Sequence, residues 1–277
     1  MNSLVLSAKR IGRHLNAEGQ PEWIASLAED GPFCRVEGDP FSADAYVTDQ
    51  AVNLGKLRAP VTPSAIYGVG LNYRAHAAET GREDPQHPLI FMKAPSAVAH
   101  PGDPIVLPRH LRSDQVDPEA ELALVIGKTA RNVAPEAALD CLLGFTCAND
   151  VSARDWQFEW GSGQFCRGKT FDTFCPLGPI IVPPRALGDY TTRRVRQKLN
   201  GEVVQDGSLS ELIFSVEHII AFLSGSTTLL PGTVILTGTP AGVGQQRNPP
   251  RYARPGDVID IEIDGIGTLT NSVVEES

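Results

Sequence analysis

The chain has 277 residues, of which 42% are hydrophobic and 21% are charged, and its formal net charge is −9. A chain of this length buries a sizeable core, either as one large domain or as a domain with a small appendage. The acidic balance disfavours nucleic acids and anionic membranes as partners, because both attract a basic face. A small anionic ligand remains compatible if a metal ion or local cations oppose the overall charge.

The first 60 residues are weakly patterned, with Gly-Pro, Gly-Asp-Pro and Ala-Pro turn signals between short apolar pieces. We expect a small N-terminal domain over residues 1–60 and a larger domain over residues 61–277. The apolar run Leu4–Leu6 is too short for a signal peptide. The five cysteines are odd in number and include no Cys-x-x-Cys pair, which favours reduced thiols. Both observations predict a cytoplasmic protein.

Short apolar runs with turn residues between them predict the elements of the middle of the chain. Glu119–Ile126 is predicted as a strand that becomes apolar on both faces after its start. The other predicted elements are strands at Ala65–Val69, Leu89–Lys93 and Leu143–Ala148, and helices at Tyr73–Thr80 and Pro135–Leu142.

The last third of the chain begins with Asn200-Gly201, a strong hairpin signal between strands at Val195–Leu199 and Glu202–Gln205. Ser208–Glu211 resembles a capping box that opens a helix running to about Leu223. Further strands are predicted at Val234–Thr237 and Val258–Ile263.

The stretch from residue 218 to residue 238 contains no Asp, Glu, Lys or Arg and is about long enough to span a bilayer. Ser224–Thr228 and Pro231-Gly232 interrupt it, so we expect a helix and then a strand. Over the whole chain, many strands, few helices and no alternation of strand and helix predict a β-dominated α+β fold rather than a doubly wound sheet.

Three carboxylates form a candidate metal site. Glu119 and Glu121 are two residues apart at the head of a strand, so they share a face, repel each other and raise each other's pKa. Asp150 follows the apolar run 142–148 and offers a third oxygen donor. Such donors suit Mg²⁺, Mn²⁺ or Ca²⁺ rather than Zn²⁺, and three protein ligands leave about three positions open. The alternatives are a solvated strand start for the glutamates and a turn or helix cap for Asp150.

Further polar residues are candidates for catalysis and substrate binding. His76 and Glu79 are three apart on a predicted helix, where the carboxylate orients the imidazole for activating water. Lys169, among Gly, Thr and Asp, is suited to stabilising an oxyanion or enolate. Arg154 and Gln157 follow Asp150 by four and seven residues, a helical spacing that predicts substrate contacts beside it. The alternatives are an exposed helical ion pair for the dyad and surface charge for Lys169.

Two glycine-rich stretches do not predict a nucleotide cofactor. Gly238–Gly244 lacks the Gly-Lys-Ser/Thr end of a Walker loop, and Gly68–Gly70 lacks the third glycine of a dinucleotide fingerprint. No Gly-x-Ser-x-Gly elbow occurs in the chain. We expect no cofactor-binding residues beyond the metal ligands.

In their order along residues 62–275, these motifs resemble those of the fumarylacetoacetate hydrolase family, in particular bacterial members of the acylpyruvate hydrolase and 2-hydroxyhepta-2,4-diene-1,7-dioate isomerase kind. The stretches that carry the resemblance are Tyr67–Tyr73 with His76 and Glu79, Pro88–Lys93, Glu119–Leu122, Asn149–Asp155, Gly168–Thr173 and Thr237–Gly244.

The resemblance implies a mixed β-roll, like the C-terminal domain of that family, and a homodimer. It implies a divalent metal on Glu119, Glu121 and Asp150, and a His-Glu dyad at His76 and Glu79. Lys169 then matches a lysine near the metal, and Thr239 matches a substrate-facing position. The implied substrates are 2-oxo acids, including intermediates of aromatic catabolism.

These expectations favour a Mg²⁺- or Mn²⁺-dependent hydrolase that cleaves a C–C bond of an acylpyruvate-type 2,4-dioxo acid through a metal-bound enolate. His76 would deprotonate the attacking water, and Lys169 would help to stabilise the enolate. One alternative is an isomerase or decarboxylase of 2-oxo-dioates, or an oxaloacetate decarboxylase, of the same family. Another is a binding protein without catalytic activity. The metal site alone does not separate the reactions.

Overall fold

A computed structural model describes residues 7–277 and shows a β-dominated α+β fold with mixed sheets, as predicted. The strands are β1 Arg10–Leu15, β2 Pro21–Ser26, β3 Cys34–Glu37, β4 Tyr46–Ala51, β5 Leu57–Arg58, β6 Ile66–Gly70, β7 Leu89–Lys93, β8 Val98–Ala99, β9 Ile105–Leu107, β10 Val116–Asp117, β11 Ala120–Ile126, β12 Leu142–Asn149, β13 Ser152–Ala153, β14 Cys175–Val182, β15 Arg194–Leu199, β16 Glu202–Ser208, β17 Val234–Leu236, β18 Val258–Ile263 and β19 Gly267–Glu275. The α-helices are α1 Arg74–Glu79, α2 Phe165–Lys169, α3 Pro184–Leu187 and α4 Val216–Ser224.

The strands form two main sheets. The larger follows the order β4-β3-β2-β1-β14-β12-β11-β17-β6-β7, with β5 beside β1 and β8 beside β14. The smaller follows the order β16-β15-β18-β19-β9, and β10 pairs with β13 alone. Because β17 runs parallel to β6 but antiparallel to β11, the loops after β6 and β17 leave the sheet on the same side. The start of β11 and the end of β12 lie at that side too.

Strand β11 lies between two hydrophobic clusters and is apolar on both faces, as its sequence predicts. Leu122 and Leu124 point into one cluster together with Ile261 of the smaller sheet. Ala123 and Val125 point into the other. Successive side chains of a strand alternate between faces, so burial on both sides requires this unbroken apolar run. The buried part of β11 therefore begins beside the carboxylates that were predicted to bind a metal.

Most predicted elements are present, and two require correction. Residues 135–142 do not form one helix but two short 3-10 turns, Pro135–Ala137 and Leu139–Cys141. The predicted capping box does not open the long helix either, because the Ser208 side chain caps a 3-10 turn. Helix α4 begins later, where the Ser215 side chain accepts a hydrogen bond from the backbone of His218. Serine is a favourable cap at both positions, so capping propensity alone does not determine where the helix begins.

The uncharged stretch from residue 218 to residue 238 is divided between α4 and β17, as its turn residues predict. In the part of the chain from residue 7 onward, none of the helices has the length and apolar character needed to cross a membrane.

The N-terminal strands β1 to β4 form a meander. Strand β1 continues the larger sheet through its antiparallel pairing with β14, where Ile11 lies opposite Ile181. The division into domains at residue 60 stays a prediction.

Candidate active site

The register of β11 and β12 brings the predicted metal ligands together. Ala120 lies opposite Asn149, and the backbone N–H of Asp150 donates to the carbonyl of Glu119 at 2.9 Å. Ligand oxygens of Glu119, Glu121 and Asp150 all lie within 4.8 Å of one another, and the three residues are buried. The alternative interpretations, a solvated strand start for Glu119 and Glu121 and a simple turn residue for Asp150, are therefore wrong.

Three buried cations surround two of these carboxylates. Lys169 Nζ lies 2.6 Å from Glu119 Oε2 and 2.5 Å from Asp150 Oδ2. Arg154 Nη2 donates to Glu119 Oε1 at 2.6 Å. Burial raises the pKa of Glu119, but Arg154, Lys169 and His76 outweigh it and hold that pKa well below its usual range. Lys169 is only 3% exposed, so its interpretation as surface charge is wrong.

Lys93 is the third cation, and sequence reasoning placed it in a strand without a role. Its Nζ donates to Asp150 Oδ1 at 2.5 Å and to the carbonyl of Val151 at 3.1 Å. The residue is 2% exposed and lies at the end of the short strand β7. The sequence did offer a signal, because Lys93 is the last residue of a hydrophobic strand. A lysine that is buried there needs a partner of opposite charge. Together, Glu119, Glu121, Asp150, Lys93, Lys169 and Arg154 are called the base cluster here.

Glu121 differs from its neighbours because it accepts a hydrogen bond from a backbone amide rather than from a cation. The N–H of Gly238 donates to Glu121 Oε2 at 2.6 Å. Burial raises the pKa of Glu121 well above its usual range, and the charges of Asp150 and Glu119 raise it further. Gly238 has φ +100°, and a Cβ there would lie 2.8 Å from that of Asn72, so the position requires glycine.

The base cluster fits a divalent cation. Within residues 7–277, its three carboxylates are the one group of His, Cys, Asp or Glu side chains arranged to hold a metal ion. Glu119 Oε1, Glu121 Oε2 and both carboxylate oxygens of Asp150 accept one hydrogen bond each, so each keeps a second lone pair for an ion. All donors are hard oxygens, the class that Mg²⁺, Mn²⁺ and Ca²⁺ prefer. A cation beside Glu121 would relieve the repulsion that raises its pKa.

The predicted dyad is present in helix α1. His76 Nδ1 lies 2.7 Å from Glu79 Oε1, and Glu79 Oε2 accepts a hydrogen bond from the N–H of Gly242 at 3.0 Å. An ionised carboxylate only accepts, so Nδ1 carries the shared proton and Nε2 is the nitrogen left for a ligand. His76 is buried and lines the same cavity as the base cluster, which makes an ordinary exposed ion pair wrong.

Arg154 and Gln157 reach the site, but the helical spacing used to predict this was wrong. Ser152 and Ala153 form strand β13, and a π-helical turn covers Asp155–Glu159. Arg154 Nη1 donates to Gln157 Oε1 at 2.9 Å, which holds the two side chains together.

Thr239 lies at the cavity wall, where its hydroxyl donates to the carbonyl of Ala120 at 3.0 Å and accepts from Gln205 Nε2 at 2.8 Å.

Asp117 is a second residue that sequence reasoning missed. It accepts from Arg154 Nε at 2.9 Å and from the backbone of Gly244 at 2.8 Å and Gln245 at 3.1 Å. Glu121, Glu79 and Asp117 thus fix three points of the glycine-rich loop after β17.

The site opens into a cavity of about 250 Å³. Eight of the nine predicted site residues line it, and Glu79 supports His76 from behind. The aromatic wall includes Phe91, whose ring centroid lies 4.8 Å from Lys169 Nζ. A Cβ on Gly68 would lie 2.1 Å from the Phe91 ring, so this glycine makes room for it. The arrangement can bind an anion, hold a metal and move a proton in one enclosure.

A sequence model of the family described as "Fumarylacetoacetate (FAA) hydrolase C-terminal" matches residues 65–274. Oxaloacetate tautomerase fahd2, mitochondrial, from Xenopus laevis is 46% identical over 219 residues, which cover 79% of this chain and 68% of that protein. The structure of 5-carboxymethyl-2-hydroxymuconate delta-isomerase from Mycobacterium smegmatis is 39% identical, covers 96% of this chain and 100% of its own, and has a TM-score of 0.83. That of 2-hydroxyhepta-2,4-diene-1,7-dioate isomerase from Mycobacterium marinum is 37% identical, with coverages of 98% and 100% and a TM-score of 0.83.

Proposed function

The chain belongs to the fumarylacetoacetate hydrolase family, and from that premise we propose that it is a metal-dependent tautomerase or isomerase of a 2-oxo dicarboxylic acid. The observation that carries the proposal is the meeting of the His76–Glu79 dyad with the base cluster in one cavity. The expected C–C hydrolysis is replaced as the first choice by the alternative of an isomerase. The names of the relatives support this change, because they include an oxaloacetate tautomerase and two isomerases.

The names of the relatives also suggest the class of substrate. Oxaloacetate and the two hydroxy-diene acids each carry a carboxylate beside a keto or enol carbon, and each has a further carboxylate at its far end. Tautomerisation moves one proton between the enol oxygen and the neighbouring carbon, with no net gain or loss of atoms or electrons. We therefore propose a 2-oxo diacid and its enol as the two forms that the enzyme interconverts.

We propose Mg²⁺ or Mn²⁺ as the cofactor, with Ca²⁺ as a further candidate, held by Glu119, Glu121 and Asp150. When bound, such an ion supplies Lewis acidity that polarises the oxygens of a chelating 2-oxo acid. The burial of all three carboxylates and their spacing within 4.8 Å support this assignment.

Each nearby side chain has a distinct role in this proposal. His76 Nε2 removes the proton from one position of the substrate and returns it at the other, because Nδ1 is held by Glu79. Lys169 acts as a fixed cation, since its ammonium donates to two carboxylates and has no free lone pair. It favours negative charge on the enolate oxygen. Arg154, Gln157 and Thr239 orient the 2-oxo carboxylate end of the substrate.

Hydrolysis of a C–C bond is the second candidate, and the same dyad favours it. An imidazole oriented by a carboxylate is suited to deprotonating water, which would then attack a distal carbonyl. Decarboxylation of oxaloacetate also passes through an enolate. These reactions differ in their products and not in the residues that line the cavity.

The test presents the enol form of oxaloacetate to the protein with Mg²⁺ or Mn²⁺ and follows the loss of enol absorbance in the ultraviolet. We expect acceleration that chelator abolishes and that Asp150→Asn lacks. Proton NMR of the same mixture distinguishes the keto acid from pyruvate, which decarboxylation would release. Cleavage of acetylpyruvate to acetate and pyruvate, without acceleration of the enol–keto step, would favour the hydrolase instead. No turnover of any 2-oxo acid would favour the alternative of a binding protein without catalytic activity.

We also propose that the protein is a homodimer in the cytoplasm with a small-molecule 2-oxo acid as its partner. The family resemblance supports the dimer, and the thiols that carry no disulfide, Cys34, Cys141, Cys147, Cys166 and Cys175, support a reducing compartment. Light scattering of the purified protein tests the oligomeric state.

A further inference from the structure

Arg82 has no role in the site described so far, although it lines the cavity. It lies three residues after helix α1, which carries His76, and it is exposed. The nearby acid Asp84 pairs with Arg74, at 3.6 Å between its Oδ2 and Arg74 Nε. Within residues 7–277, no carboxylate lies within ion-pair distance of the Arg82 guanidinium. An arginine at the mouth of a cavity therefore keeps all its donors for a ligand.

The charges of the cavity indicate what that ligand needs. Five carboxylates, those of the base cluster with Asp117 and Glu79, face three buried cations, which leaves two net negative charges. A divalent ion balances these two charges. The carboxylate at the 2-oxo end of the substrate can bind that ion, whereas a second, distal carboxylate has no further cation in the site. Arg82 is the cation that is left to neutralise it.

We propose that Arg82 binds the distal carboxylate of the substrate and sets the preference for diacids. The inference rests on the proposed function, because it concerns the far end of the same substrate. The planar guanidinium can hold a carboxylate with two parallel hydrogen bonds. Gln245 and Gln246 line the same cavity and offer further amide donors. The buried base cluster thus receives the 2-oxo end, and the exposed arginine receives the other end.

The first experiment compares Arg82→Gln with wild type on oxaloacetate and on its 4-methyl ester, which keeps the 2-oxo end but lacks the distal charge. We expect kcat/KM for oxaloacetate to fall by about 10- to 100-fold, the range of a charge-assisted hydrogen bond. The value for the ester should change less than about threefold. Arg82→Lys keeps the charge but not the planar guanidinium, so it should show a smaller loss than Arg82→Gln.

Arg74→Gln is the matched control. It removes the same charge from the first residue of α1, outside the cavity, and should leave both values near wild type. An equal loss on both substrates in Arg82→Gln, or the same pattern in Arg74→Gln, would overturn the proposal in favour of a structural or long-range charge effect.

A binding measurement separates this inference from the proposed reaction. Malate and lactate share a 2-hydroxy acid end, but only malate has a distal carboxylate. Calorimetric titration in the presence of Mg²⁺ should show that Arg82→Gln weakens the affinity for malate about tenfold or more and leaves the affinity for lactate unchanged. This result would support Arg82 even if the protein did not catalyse tautomerisation. A malate affinity unchanged in Arg82→Gln would refute the role of Arg82 whatever the reaction is.

Discussion

The base cluster and the rim segment, defined as residues 73–87 with helix α1, differ in how the fold holds them. In the base cluster, charged side chains lie on β7, at the start of β11, after β12 and at the end of α2, and their ion pairs measure 2.5 to 2.6 Å in a buried setting. The rim segment is largely exposed apart from Tyr73, His76 and Ala77. The Glu79 side chain links it to the glycine-rich loop through Gly242.

This difference implies a division of labour. Buried charges are costly unless they are paired, so the ion pairs of Glu119 and Asp150 restrict the side chains of the base cluster before any ligand arrives. The rim segment has few buried contacts, and such regions adjust at low free-energy cost. We infer that the base cluster sets the electrostatics of the reaction, whereas the rim segment delivers the proton-transfer group and recognises the far end of the substrate.

The largest effect should follow from removing a cation of the base cluster. Lys93→Met keeps the length of the side chain but leaves Asp150 Oδ1 without its partner at 2.5 Å. Breaking a buried ion pair costs about 3 to 5 kcal/mol, and we expect about 3 here because Lys169 still contacts the other oxygen of Asp150. Urea unfolding of the metal-free protein measures the change.

Lys56→Met is the matched control for this prediction. Lys56 Nζ lies 2.6 Å from Asp103 Oδ1, but more than half of the lysine side chain is exposed. Such pairs contribute below about 1 kcal/mol. Equal losses in the two variants would mean that burial does not distinguish the base cluster from the surface.

The next effect concerns the metal. A ligand at a hundredfold excess over its Kd stabilises the folded protein by about 2.7 kcal/mol. We therefore expect Mn²⁺ to raise the melting temperature of wild type and to have little effect on Glu121→Gln or Asp150→Asn. Glu136→Gln, at an exposed position, should respond like wild type. A shift retained in both site variants would place the ion elsewhere.

The candidate site was predicted from two signals together. Glu119 and Glu121 share a strand face, and His76 and Glu79 share a helical face, but these short spacings left alternatives open, and the order of the family's motifs along the chain favoured a site. Lys93 and Asp117 were missed because their partners are distant in the chain. Lys93 meets Asp150 from 57 residues away, and only the pairing of β7, β6, β17, β11 and β12 makes that contact.

The same distinction applies to the fold. Val258–Ile263 was predicted with its observed bounds, and Asn200-Gly201 was correctly placed in a hairpin. In both cases the alternation and the turn residues are local signals. The strands of the first 60 residues were not predicted individually, because their sequences are weakly patterned and β1 joins the larger sheet through β14, far along the chain. Tertiary pairing overrides weak local patterns.

A smaller effect is expected at the junction of the two regions. In Glu79→Gln the amide can donate to His76 Nδ1, which reverses the imidazole tautomer that the carboxylate imposes. We expect kcat to fall by about 10- to 100-fold, since oriented acid–base catalysis contributes at least that much. The Mn²⁺-induced rise in melting temperature should be unchanged. Loss of that rise as well would show that the dyad and the base cluster are not separable.

The smallest effect lies outside both regions and measures what a half-buried titratable group contributes to stability in this fold. The N–H of Ala59 donates to His100 Nδ1 at 3.0 Å, which requires an unprotonated nitrogen. Burial and then the charge of Arg58 lower the pKa of His100. The unfolded chain therefore binds the proton more readily, so stability is complete above about pH 6.5 and decreases as the pH falls below it. Relative to His100→Gln, wild type should lose less than about 1 kcal/mol between pH 7 and pH 5 in urea unfolding, because a half-exposed charge is screened. Parallel pH profiles of the two proteins would contradict this assignment, and a much larger difference would place His100 with the buried charges of the base cluster.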